Sequence, residues 1–256
     1  MNLDLLNDDY SSKVSLKVKK SAGPVGFTID TTRAPAGSLS SKVSTKFSYA
    51  GLNVDKAQVD AAGGQTLETK LPLSAVPGLV LSFKGSKGAD LGADYKSGNF
   101  CGNAKLDVKD LAKVSSSACL GLKSGVTIGG DAAYSLKASS FSGYNLGASY
   151  THGPLFAAVT TSDKLAAVNV SMMYKVKPDI TLASSSTHSA SKTCDILAVG
   201  GQYKASFGDL KAKFGSNGVG SVCLVKEIAP KVNLTASGSM KGADTSTFKY
   251  GLGITM

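Results

Sequence analysis

Alternation of apolar and polar residues at every second position constrains this chain more than any other feature. In residues 231–240, Val232, Leu234, Ala236, Gly238 and Met240 alternate with Lys231, Asn233, Thr235, Ser237 and Ser239. Extended backbone sends successive side chains to opposite sides, so this segment has one greasy and one wet face. The pattern returns at Val14, Leu16 and Val18 against Lys13, Ser15, Lys17 and Lys19, and at Leu39, Val43, Phe47 and Tyr49 against Ser40, Lys42, Ser44, Lys46 and Ser48. It recurs at Val126, Ile128, Ala132, Tyr134 and Leu136 against Thr127, Asp131, Ser135 and Lys137. Tight-turn signals such as Ala22-Gly23-Pro24, Ala62-Gly63-Gly64, Ser97-Gly98-Asn99 and Gly242-Ala243-Asp244 separate the segments. Roughly one strand and turn per 13 residues gives about nineteen strands.

Two architectures accommodate so many short, even strands: a soluble β fold and a transmembrane barrel. Alternation alone does not separate them, because either can hide its apolar face. Tyr49, Tyr95, Tyr134, Tyr150, Tyr174 and Tyr203 fall toward segment ends, where a membrane barrel carries its aromatic girdle. Small polar residues and lysine fill the wet face, as suits a solvated lumen. The apolar run Val76–Leu81 is far too short for a membrane-spanning helix, and the opening MNLDLLNDDY lacks the basic start and apolar block of a secretory signal. The expected fold is all-β, a transmembrane β-barrel of about nineteen strands over residues 11–256, preceded by an N-terminal helix remnant over residues 1–10. An odd strand count leaves the first and last strands pointing the same way, so closure should pair residues 13–19 in parallel with residues 247–255.

The chain carries 28 Lys and Arg against 18 Asp and Glu, a formal charge of +10. Its lysines are spread along the whole chain rather than clustered with aromatics, which argues against nucleic acid and for the lining of an anion pathway. The expected pore-lining lysines are Lys13, Lys17, Lys19, Lys42, Lys46, Lys70, Lys96, Lys105, Lys137, Lys175, Lys211, Lys213, Lys231 and Lys249. The cysteines Cys101, Cys119, Cys194 and Cys223 lack metal-ligand spacing and read as isolated, half-buried thiols, so no metal or cofactor is expected. Gly121-Leu122-Lys123-Ser124 lacks the earlier glycine of a phosphate-binding loop, and no Ser, His and Asp grouping points to an enzyme.

The chain ends Lys249-Tyr250-Gly251-Leu252-Gly253-Ile254-Thr255-Met256. This resembles the C-terminal sorting signal of mitochondrial outer-membrane barrels, with Lys249, Gly251, Ile254 and Met256 in its specified places. Three further stretches make the chain similar to the voltage-dependent anion channel family along nearly its whole length: Asp4-Leu5-Leu6-Asn7-Asp8-Asp9-Tyr10, Val76-Pro77-Gly78-Leu79, and Ala212-Lys213-Phe214-Gly215-Ser216-Asn217-Gly218-Val219. The resemblance implies a mitochondrial outer-membrane channel with voltage-dependent, weakly anion-selective passage of nucleotides, phosphate and organic anions. Membrane lipid, the mitochondrial sorting machinery and further copies of the chain are its implied partners. The protein-import pore of the same membrane is the alternative, and a soluble β-rich binding module a more distant one. The chain also departs from the family. The pore-resident helix is expected to be reduced to about Asn2–Asp9, Val80 replaces a lysine common after the Gly-Leu turn, Ser206 stands where Asp is common, and the membrane-facing glutamate of many animal members aligns with about Lys56.

Overall fold

In a computed structural model, residues 4–35, 37–189 and 196–256 are described. After one helical turn, α1 (Asp4–Asn7), these residues form nineteen strands in a single sheet that closes on itself. The strands are β1 (Val14–Ala22), β2 (Val25–Arg33), β3 (Leu39–Tyr49), β4 (Leu52–Asp60), β5 (Gln65–Pro72), β6 (Leu79–Gly85), β7 (Ala89–Ser97), β8 (Phe100–Asp107), β9 (Lys113–Gly121) and β10 (Val126–Ser135). They continue with β11 (Ser140–His152), β12 (Leu155–Ser162), β13 (Ala167–Lys177), β14 (Ile180–Ser189), β15 (Ile196–Ala205), β16 (Gly208–Gly215), β17 (Val219–Ala229), β18 (Val232–Lys241) and β19 (Asp244–Thr255). Each strand pairs antiparallel with the next, as in β2 with β3 and β18 with β19. The exception is the closing seam, where β1 and β19 run parallel with Val14 opposite Leu252 and Lys17 opposite Thr255.

The expected strand count and parallel closure are both present. No described helix is long and apolar enough to cross a membrane. Strands of this length span a bilayer when tilted, and closure gives every ladder group a partner where no water is available. Hydrogen bonds at the seam run from Leu252 N–H to the Lys13 carbonyl (3.1 Å) and from Met256 N–H to the Lys17 carbonyl (2.9 Å).

Face assignment follows from register, because directly opposed residues share a side. From Leu16, the outer face passes through Thr31 on β2 and Ile254 on β19. Elsewhere it carries Ile128 with Ala148, and Val159 with Val170. Many of these apolar residues are exposed within the single chain, Leu146 at 61% and Leu182 at 50%, which fits a lipid-covered surface. The charged residues on this face, Lys20, Arg33, Lys177 and Lys226, stand toward strand ends, within reach of headgroups. The tyrosines named above also lie on this side: Tyr49 opposite Leu52, Tyr150 opposite Val126 and Tyr203 opposite Ile180.

Leu146, near the middle of β11, therefore faces lipid, while its neighbour Ser149 faces the lumen opposite Thr127. Leu146→Arg should cost about 2–4 kcal/mol of folding stability in lipid vesicles, whereas Ser149→Arg should cost less than about 1 kcal/mol. Urea titration of the two variants in the same vesicles checks the assignment, and equal losses would contradict it.

Candidate functional site: the lumen wall and its N-terminal strap

The inner face is identified by what it holds. Leu5 and Leu6 of α1 are almost fully buried, at 5% and 3% exposure, against Met173 and Ala183, with Phe156 packed alongside. Met173 opposes both Phe156 and Ala183, and Ala183 opposes Gly200, so these residues share one wall of the barrel. Gly200 provides the seat: a Cβ there would come within 2.7 Å of the Leu6 side chain. Burying two leucines contributes on the order of 1.5–3 kcal/mol each. A four-residue helix has no stability of its own, so this burial is what holds it.

Polar contacts extend the attachment into a strap. Lys213 Nζ donates to the Leu6 carbonyl at 2.7 Å and lies 4.2 Å from the centre of the Tyr10 ring. Lys211 Nζ meets Asp9 Oδ2 at 2.6 Å, with the lysine side chain only 12% exposed. The Tyr10 hydroxyl donates to the Leu5 carbonyl at 3.1 Å, and burial pushes its pKa up to about 12, so it remains a neutral donor. Ser237 Oγ donates to the Ser11 carbonyl. The segment thus runs along the inner wall from β14 to β19, where Gly251 leaves room for the Ser11 carbonyl that any Cβ would strike.

With this face fixed, register places the lysines. Lys17, Lys19, Lys42, Lys70, Lys96, Lys105, Lys175, Lys211, Lys213 and Lys249 occupy inner positions on their strands. Lys46, opposite Gly26, is on the same side, and Lys13 continues the inner set one place before β1. Lys137 and Lys231 differ from expectation: both lie in turns, between β10 and β11 and between β17 and β18. Alternation was extended past the point where each hairpin reverses, and Lys231 adopts φ 68° to make its turn.

Five inner lysines escaped the sequence pattern. Lys84, Lys113, Lys204 and Lys241 alternate with Phe83, Val114, Tyr203 and Met240 and were legible by the same rule. Lys56 was not, because a bulge between Val54 and Lys56 breaks the alternation and brings Lys56 opposite Glu68, an inner-wall residue. Of the residues expected to form the sorting signal, Lys249 and Gly251 face inward and Ile254 outward, with Met256 following β19.

Charge is unevenly distributed around the wall. From β1 to β8 lysines are interleaved with carboxylates: Asp30 lies between Lys17 and Lys42, Lys70 pairs with Asp55 at 2.7 Å, and Lys84 with Glu68 at 3.1 Å. From β9 to β14 the wall is mostly small and hydroxylated, with Ser115, Ser117, Thr127, Ser149, Thr160, Ser171 and Ser185 in inner positions. Lys19 and Lys46 have no carboxylate within ion-pair distance among the described residues, and face Thr28 and Gly26.

The cysteines differ from the reading of four separate thiols. Cys101 and Cys119 oppose each other on β8 and β9, Cα atoms 5.2 Å apart, and form a disulfide. Cys223 is a buried free thiol beneath the strap, and Cys194 lies outside the described residues.

A model of the eukaryotic porin family matches residues 3–253. Arabidopsis thaliana mitochondrial outer membrane protein porin 1 is 29% identical over 136 residues, covering 51% of this chain and 49% of that one. Porin 4 of the same plant is 23% identical over 261 residues, covering 99% of this chain and 93% of that one. Among solved structures, a mutant porin of Rh. blastica aligns with a TM-score of 0.54 over 93% of this chain and 94% of its own, at 10% identity, a likeness of fold alone.

If Gly251 is the crossing point of the strap, Gly251→Val should accelerate amide exchange over residues 4–12 while leaving the strands as protected as before. Gly253→Ala is the control, since its nearest neighbour is the Ser15 hydroxyl at 3.1 Å, which can rotate away. Unchanged exchange in Gly251→Val would contradict the contact.

Proposed function

The chain belongs to the eukaryotic porin family, and from that membership, its mitochondrial outer-membrane relatives and its lysine-lined barrel we infer a channel that prefers small anions. A nineteen-stranded barrel is well beyond the eight-strand size that side chains fill, so its interior is an aqueous path. The observation carrying the anion preference is the surplus of inner lysines over the carboxylates interleaved with them. Charges on the wall act over a Debye length of about 8 Å at physiological salt, which biases a wide pore without filtering it. Nucleotides, phosphate and organic anions are the cargo that this family and this wall charge favour.

The strap supports a weak response to voltage. Its described helical turn, Asp4–Asn7, is held against the wall by Leu5, Leu6 and the Asp9–Lys211 pair, contacts that oppose its displacement in an electric field. β19 is the segment expected to be read by the sorting machinery, through its free seam edge before closure and the apolar side carrying Leu252 and Ile254.

Two outcomes follow. The triple variant Lys13→Glu, Lys17→Glu and Lys19→Glu should insert normally and shift the zero-current potential in a salt gradient toward cation preference. Glutamates at the turn lysines Lys87, Lys123 and Lys164 should shift it much less. Equal shifts, or failure of the first triple to insert, would contradict the assignment. In planar bilayers the full chain should also show shallow closure with voltage; steep, symmetric closure at both polarities would contradict the anchored strap.

A further inference from the structure

Cys101 and Cys119 sit at inner-face positions, one residue in from the start of β8 and two from the end of β9. Both strand ends lie by the turn at Gly98-Asn99, so the pair stands at one mouth of the barrel, and both residues are partly exposed. Its two flanks are unlike. On β7, Lys96 directly opposes Cys101, while the nearby Asp94 carboxylate accepts a hydrogen bond from Asn103. On β10, Gly129 opposes Cys119, and a side chain there would press to 3.1 Å from the Cys119 Cβ. One side therefore offers a cation, and the other sets no side chain against Cys119.

We propose that Cys101 and Cys119 are a thiol–disulfide exchange site at the channel mouth, reacting with small anionic thiols and disulfides of the glutathione class that enter the lumen. In the oxidising direction, a thiolate of the pair attacks one sulfur of the small disulfide and releases one small thiol, leaving a mixed disulfide. The second cysteine, as thiolate, then attacks the protein sulfur of that mixed disulfide and releases the second small thiol. The pair loses two electrons and two protons, and the small disulfide becomes two thiols; excess reduced thiol reverses both steps. Lys96 serves by drawing in carboxylates of the small molecule, and Gly129 by setting no side chain against Cys119. Cys223, 1% exposed beneath the strap, is the internal control that folded protein should protect. The site requires a water-filled barrel and is independent of any anion preference in conduction.

The test uses the full chain folded in lipid vesicles, equilibrated with excess oxidised or excess reduced glutathione, trapped by alkylation and mapped by peptide mass spectrometry. The expected result is a Cys101–Cys119 disulfide in the first condition, a dithiol in the second, and an unmodified Cys223 in both. In Cys119→Ala, Cys101 should stop at the glutathione mixed disulfide. Lys96→Glu should slow oxidation by oxidised glutathione on the order of tenfold, while leaving oxidation by uncharged bis(hydroxyethyl) disulfide unchanged. A pair inert to both glutathione forms, a Cys101 left unmodified in Cys119→Ala, or Cys223 reacting as fast as the pair would overturn the proposal. Equal slowing of both disulfides in Lys96→Glu would overturn the role of Lys96.

Discussion

Backbone hydrogen bonding in a medium without water is the constraint on which the rest of this structure depends. A strand edge exposed to hydrocarbon leaves a row of N–H and C=O groups unpaired at several kcal/mol each, so the sheet must close. An odd number of up-and-down strands closes only through a parallel seam, and that seam places β19 beside β1 with its backbone bonded to Lys13 and Lys17. Closure separates the two faces of every strand into lipid side and lumen side, and the alternation in sequence becomes a division between solvents.

That division explains both the bareness of the outer wall and the crowding of the inner one. Most lysines along the sequence converge on one surface because they occupy the inner parity of their strands, while Lys20, Lys177 and Lys226 stand on the outer face toward strand ends. Carboxylates follow the same rule and temper the lysines on β1 to β8, while the hydroxyl-lined arc of β9 to β14 carries fewer charges, Lys113, Asp131 and Lys175. The strap lies where that arc gives way to Lys211 and Lys213, the point where an apolar seat and cationic partners occur together.

Fold class, strand count and closure were legible because each strand repeats the same period-two signal and an odd count fixes the direction of the seam. Most inner lysines were legible for the same reason. The failures are local. A bulge shifts parity by one residue, which hid Lys56, and a hairpin ends parity altogether, which misplaced Lys137 and Lys231. The Cys101–Cys119 pair was missed because linear separation was read as spatial separation; its midpoint, Asp110, lies in the loop between β8 and β9, and that symmetry brings the two thiols opposite each other. The seat of Leu6 on Gly200 had no pattern to reveal it, since it joins residues far apart in sequence through the curvature of the wall.

The central claim is that one wall separates lipid from a continuous column of water. Single-channel recording of the purified full chain in a planar bilayer, with neutral polymers of graded size added to symmetric salt, tests it most directly. The account predicts discrete conductance steps that small polymers reduce by entering the lumen and large polymers leave unchanged. Correctly folded, membrane-inserted barrels that give no steps, or steps insensitive to every polymer size, would contradict it.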